Sequence, residues 1–156
     1  IRAVDELNNR SDCSLIIVGD GPARSELEKI HTKYRRHQFV GQSEAVTEYL
    51  AAADVFVSAS FSEGLPNAAL EALASGLPCV LSDIPPHAEL SKETSEVTLC
   101  EVLSSAQFAQ VIEELLSSKK KKNSEQNYRS LLPEVFQAEA MSRRYQTLYL
   151  DILNAE

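Results

Sequence analysis

Within FSEGLPNAALEALASGLPCVLSD, residues 61–83, Glu63 and Glu71 have the type and spacing to do chemistry, with seven residues between them. Gly64 and Pro66 prevent the two from sharing one continuous helix, so Glu63 falls on a loop. Asn67 supplies an expected N-cap, which puts Glu71 about one turn into the helix that follows. An ionised carboxylate only accepts hydrogen bonds, and two of them flanking a helix start can each receive one from a hydroxyl group. Between them the helix start offers free N–H groups and the positive end of its dipole to a phosphate, while Gly64 allows close backbone approach. Hydroxyls on either side of a phosphate describe a nucleotide sugar. The same residues also admit a plain structural role, with Glu71 favoured by the helix dipole alone and Glu63 solvated on its loop.

The surrounding elements must place those residues at the end of a strand. SLIIVGDG reads as an apolar strand closing on Gly19-Asp20-Gly21, followed by the polar-faced helix ARSELEKIHTKY. Then come a strand QFVG, a helix EAVTEYLAAA, a strand DVFVSAS, the glutamate segment with its helix AALEALASG, a strand PCVLSD and a last strand EVTLCEV. Apolar runs alternating with helical stretches predict an α/β fold, an open parallel sheet with helices on both faces. Ligands of such sheets bind beyond the carboxyl ends of the strands. Three loops there have the right character: Gly19-Asp20-Gly21, Gly41-Gln42-Ser43, and Phe61 to Asn67. Before all this, IRAVDELNNR has helical spacing and starts without Met, as expected of a piece cut within or just before a helix. Further on, SSAQFAQVIEELL is a surface helix with a capping box at Ser104 and Gln107, SKKKKNSEQN a polar connector, and Met141, Tyr145, Leu148, Tyr149 and Ile152 mark a last amphipathic helix.

Composition narrows the function. The 156 residues suit one domain with a real core, and the formal charge of −8 opposes a nucleic-acid partner. Lys119-Lys122 reads as a solvated run complementing a helix C-terminus. Cys13, Cys79 and Cys100 lack CxxC spacing and read as reduced, mostly buried thiols of a cytosolic protein. No apolar run reaches the length of a membrane span. His31, His37 and His87 have no partner at ligand spacing, so no metal is expected. Pro85-Pro86 ahead of His87 reads as a rigid turn presenting an exposed histidine.

The glutamate segment resembles the Glu-(seven residues)-Glu segment of retaining glycosyltransferases of the GT-B type, group 1 or family 4. LIIVGDGPARSELE, the run from FVGQSEAV to PPHAEL and the terminal MSRRYQTLYLDIL are similar to successive parts of that family's C-terminal, Rossmann-like domain. The resemblance implies that residues 1–156 form a single domain that binds a nucleotide-diphosphate sugar donor. It makes Glu63 catalytic, touching a hydroxyl of the transferred sugar, and has Glu71 accept from the ribose. Gly64, Leu65, Pro66 and Asn67 would wrap the diphosphate, Gly41, Gln42 and Ser43 would border the base, and Gly21 joins the donor-binding set.

No metal or other cofactor is implied. The acceptor, a saccharide or glycolipid, would be held by an N-terminal domain that the chain lacks. In that family an Arg and a Lys that neutralise the diphosphate lie on the strand and loop just before the helix where this chain starts, so they would be missing too, and the fragment is therefore expected to be inactive alone. The glycine usual before the last strand is missing from SKETSEVTLCEV. The implied setting is cytoplasmic polysaccharide or glycolipid synthesis, with membrane-surface association open to the full-length enzyme. Rival readings are a domain that binds sugar nucleotides without transfer, a dinucleotide-binding module, for which Gly19-x-Gly21 lacks the third glycine, and a receiver domain, whose acidic pair is absent.

Overall fold

The structure, a computed structural model, describes residues 1–7, 13–31, 37–119 and 131–154. The elements alternate as the apolar runs predict: α1 (Arg2–Leu7), β1 (Leu15–Val18), α2 (Arg24–His31), β2 (His37–Gly41), α3 (Val46–Ala52), β3 (Phe56–Ser58), α4 (Asn67–Ala74) and β4 (Cys79–Ser82). There follow α5 (Pro85–Glu93), β5 (Val97–Cys100), α6 (Ser105–Lys119), a 3₁₀ turn over Glu134–Phe136 and α7 (Ala138–Leu153). Among the described residues the strands pair in parallel, beside one isolated antiparallel bridge between Gly19 and Gly41, but the ladders form two groups, β1 with β2 and β3-β4-β5, instead of one continuous hydrogen-bonded sheet. Lys120–Lys122 and most of the polar connector lie outside the described residues.

β4 organises the core. Its four residues are all buried, and successive side chains of a strand point to opposite faces. Cys79 and Leu81 join Leu50, Ala72, Leu73, Leu77, Leu90 and Val97 on one face. Val80 joins Leu7, Cys100, Phe108, Ala109 and Ile112 on the other. One face is therefore covered by α3, α4 and α5 and the other by α1 and α6, the arrangement a parallel sheet requires. The 131–136 segment closes the first face: Leu131, Leu132 and Phe136 pack against it, and the Leu131 N–H donates to the Leu73 carbonyl at 2.7 Å.

Helix ends show where local sequence determines structure. Gly76, at φ 79°, ends α4 in a Schellman arrangement, with the Gly76 N–H on the Leu73 carbonyl and the Leu77 N–H on that of Ala72, both at 3.0 Å. The start of α4 departs from expectation. Its N-cap is Pro66 and makes no side-chain cap bond, while Asn67 is the first helical residue and its N–H bonds the Leu65 carbonyl at 2.9 Å. The tight 65–67 turn replaces the side-chain cap. Similarly, Gln107 Oε1 accepts from the Glu101 N–H at 2.6 Å instead of reaching back to Ser104. The residues after β4 form helix α5 where a rigid exposed turn was expected. Pro85 opens that helix, a position where its missing N–H costs nothing. The closing helix starts earlier than Met141, at Ala138, and Tyr145, Leu148, Tyr149 and Ile152 are exposed. Among the described residues no helix is long and apolar enough to cross a membrane.

The cysteines behave as buried thiols, with Cys79 and Cys100 buried and Cys13 partly so. Burial, with the Glu96 charge as a smaller contribution, pushes the Cys79 thiol from 9.0 up to about 12. Burial also raises Cys100. A thiol whose folded pKa exceeds its unfolded one stabilises the fold below the unfolded value, and that contribution is lost as pH rises through the folded one. Urea unfolding should therefore show stability falling from about pH 9 upward, and the fall should be smaller in Cys79→Ala.

Candidate functional site

The strand-end loop after β3 carries a chain of polar contacts that converges on Glu63. The Ser60 hydroxyl donates to Glu63 Oε1 at 2.5 Å, Ser58 Oγ lies 3.4 Å from the same oxygen, and the two hydroxyls are 3.0 Å apart. The end of β4 locks this loop, because the buried Ser82 hydroxyl donates to the Ser60 carbonyl at 2.6 Å. From the first turn of α5, His87 Nε2 approaches Glu63 Oε1 at 3.8 Å, and His87 Nδ1 is 2.8 Å from the Ser82 carbonyl oxygen. Parallel pairing of β3 with β4 sets the ends of both strands side by side, and the cluster forms there. Among the described residues the polar contacts of the Glu63 side chain fall on Oε1, and the side chain is 25% exposed, which leaves Oε2 available to a ligand.

His87 corrects the reading of an exposed turn histidine: it is fully buried. Ser58, Ser60, Ser82 and His87 are the residues that sequence reasoning missed. A usable signal for His87 was Pro-Pro followed by apolar spacing, the mark of a helix N-terminus.

The segment beyond Glu63 is open. Among the described residues the backbone N–H groups of Gly64, Leu65 and Ala68 have no acceptor in the protein. Leu65 and Phe61 are exposed, Pro66 is buried and Asn67 is exposed. Glu71, fifth in α4, is exposed and makes no side-chain hydrogen bond or ion pair with another described residue. No hydrogen bond links Glu71 to Glu63; in sequence the two stand on either side of the residues that carry the open N–H groups. A second feature is the charge: from His37 to Ser91 the sequence holds neither lysine nor arginine. Among the described residues no group of three or more metal-ligating side chains is gathered together.

The other two loops are held by the protein itself. Gly41 has φ 82°, and a Cβ there would lie 2.5 Å from Arg24 Nη1. Arg24 cannot easily yield, since it donates to Glu28 Oε1 at 2.8 Å, Asp20 Oδ2 at 3.1 Å and the Phe39 carbonyl at 3.2 Å. Glu28 first, and Asp20 with it, hold this guanidinium still more firmly protonated than usual. Ser43 Oγ accepts from the Ala45 N–H at 3.1 Å and shapes the turn into α3, while Gln42 is exposed. Gly21 donates its N–H to Asp20 Oδ1 at 2.7 Å, and nothing would crowd a Cβ on it. An open hollow of about 520 Å³ between the 3₁₀ turn and α7, lined by Glu134, Arg143 and Arg144 among others, includes none of these residues.

The family model for glycosyl transferases, group 1, matches residues 1–118. The chain belongs to that family. N-acetyl-alpha-D-glucosaminyl L-malate synthase of Bacillus anthracis is 28% identical over 158 residues, covering 98% of this chain and 41% of that enzyme. UDP-Gal:alpha-D-GlcNAc-diphosphoundecaprenol alpha-1,3-galactosyltransferase of Escherichia coli is 28% identical over 152 residues, covering 95% of this chain and 39% of that enzyme. The chain thus spans less than half the length of either relative. Among solved structures, sucrose-phosphate synthase of Thermosynechococcus elongatus superposes with a TM-score of 0.74 at 22% identity, over 99% of this chain and 42% of that one. That likeness carries the fold, a Rossmann-like α/β domain of the GT-B type.

The glycines of this glycosyltransferase domain divide into two kinds. Gly41 is required by its own backbone and by Arg24; Gly64 has neither a positive φ nor any atom near a Cβ built on it. Gly41→Ala should therefore lose stability by about 1–2 kcal/mol or more in chemical denaturation. Gly64→Ala should stay within about 0.5 kcal/mol of the parent.

Proposed function

We propose that residues 1–156 are the donor-binding domain of a retaining glycosyltransferase that moves the sugar of a nucleoside-diphosphate sugar to a saccharide or lipid acceptor. The observation that carries this reading is the open row of N–H groups at Gly64, Leu65 and Ala68, flanked by Glu63 Oε2 on one side and the unpaired Glu71 on the other. N–H groups at a helix start suit phosphate oxygens, and carboxylates on either side suit hydroxyls. Gly64 supports the same reading: the fold gives no reason for glycine there, and a ligand lying against the backbone would.

In this arrangement the diphosphate lies on the 64–68 backbone, the ribose hydroxyls donate to Glu71, and a hydroxyl of the transferred sugar donates to Glu63. As the bond from the anomeric carbon to phosphate breaks, its electron pair stays with the diphosphate. N–H groups already aimed at those oxygens stabilise the growing charge without reorganising. The two carboxylates hold the sugar and the nucleotide so that the breaking bond meets the acceptor. No metal enters the scheme. Gly41, Gln42, Ser43 and Gly21 would border the base, with Gln42 and Gly21 the more available, since Gly41 and Ser43 already serve the fold. Both relatives carry alpha in the name of the linkage they form, which fits retention from an alpha-linked donor. The lipid-linked acceptor in the name of the Escherichia coli enzyme fits glycan assembly at the cytoplasmic membrane face.

The test uses the intact enzyme that contains this domain. Calorimetric titration with the preferred nucleoside diphosphate should show Glu71→Ala weakening binding by about 1–3 kcal/mol, with Glu63→Gln near the parent. Assays of sugar transfer should show Glu63→Gln slowing turnover. Equal effects of the two variants on free-nucleotide binding would reverse the assigned roles, and binding without any transfer by the intact enzyme would favour a domain that binds sugar nucleotides only. The 156-residue chain alone should bind the nucleotide weakly and form no glycosylated product.

A further inference from the structure

His87 has a fixed end and an unfixed end. At the fixed end, Nδ1 is 2.8 Å from the Ser82 carbonyl oxygen. A carbonyl only accepts, so Nδ1 carries hydrogen. Ser82 Oγ, 3.4 Å from Nδ1, has its own proton directed at the Ser60 carbonyl. The opposite nitrogen, Nε2, is buried and has no hydrogen-bond partner. Its neighbour is Glu63 Oε1 at 3.8 Å. A neutral ring would aim a lone pair at a carboxylate, whereas a proton on Nε2 makes the pair attractive and gives the buried nitrogen a partner. No lysine or arginine in the 37–91 stretch competes for that carboxylate. His37, the other histidine of the stretch, sits 3.4 Å from Asp5 instead.

We propose that His87 is a positioning residue for Glu63: Nε2–H anchors Oε1, together with the Ser60 hydroxyl, and thereby turns Oε2 toward the ligand. Being wholly buried, His87 acts only through Glu63. At 3.8 Å the pair is within ion-pair reach and about 1 Å longer than a hydrogen bond. Ser82 is the hinge of the device. Its carbonyl fixes the imidazole, its hydroxyl fixes the loop that carries Glu63, and both positions are set by the end of β4.

Two substitutions separate the ends of the ring. His87→Asn keeps a donor near Nδ1 and removes Nε2; His87→Gln keeps a polar group near Nε2 and gives up the tie to Ser82. In the intact enzyme, His87→Asn should lower kcat about 100-fold, as expected when a reacting group is misplaced by about 1 Å. KM for the sugar nucleotide and affinity for the free nucleoside diphosphate should change little, and His87→Gln should recover much of the rate. The reverse order, with Asn near the parent and Gln impaired, would make His87 a structural peg and overturn the proposal, as would equal losses in both.

A second arm needs no substrate and covers the case in which a variant fails to fold. Imidazole ¹⁵N spectra of the 156-residue chain should show the Nε2 resonance of His87 moving in Glu63→Gln while Nδ1 keeps its hydrogen bond. An unmoved Nε2 would overturn the proposal. The kinetic arm alone rests on the donor-binding reading: an intact parent enzyme that transfers no sugar would sink that reading, while the spectra still decide whether His87 holds Glu63.

Discussion

The parallel pairing of β4 between β3 and β5 is the constraint on which the rest depends. With Phe56 opposite Cys79 and Cys79 opposite Val97, the register fixes which side chains meet on each face. A slip of one residue would send Cys79 and Leu81 to the α1–α6 side and Val80 to the α3–α4 side, exchanging two differently shaped cores. Since the strand is buried on both faces, neither core could accept the exchange without voids or overpacking. Pairing and packing therefore specify one register together.

That register also builds the site. Ser82 is the last residue of β4 and pairs with Cys100, so its backbone is held by the sheet while its hydroxyl and carbonyl project past the end of the ladder. The hydroxyl takes the Ser60 carbonyl and the carbonyl takes His87. Glu63 is consequently located by rigid elements although it stands on a loop, and catalysis by orientation demands such support. The loop can leave N–H groups at Gly64, Leu65 and Ala68 unpaired because these residues are exposed to water; the same groups in the core would be costly.

The sequence made the strands and most helices legible because each apolar run had one consistent period. It also disclosed Glu63, Glu71 and Gly64, whose types and order imply a strand-loop-helix junction. It did not disclose the contacts that depend on distant segments meeting. Ser82 and Ser60 are 22 residues apart in sequence, and nothing local in either serine signals the other. His87 was misread for another reason: Pro-Pro suits both a turn and a helix start, and the packing of Leu90 and His87 under β4 and β5 decides for the helix. Asn67 was placed at the cap on propensity, yet the helix begins at Asn67 itself and its first bonds run from the Ala69 and Leu70 N–H groups to the Pro66 carbonyl. Gly41 looked like a ligand-loop glycine, and Arg24 shows that the fold itself requires it.

In the proposed donor complex a diphosphate would bring negative charge to a chain of formal net charge −8, and the loop would meet it with neutral N–H dipoles. Such dipoles orient an anion and stabilise charge that develops during reaction, but full neutralisation needs cations close by. Arg24 is already held by Asp20 and Glu28, and His87 is directed at Glu63. In that complex the stretch that forms the loop would contribute direction and shape, and any cations would come from outside residues 37–91. A division of this kind, with orientation from one segment and charge from another, would make productive binding of the proposed donor depend on both.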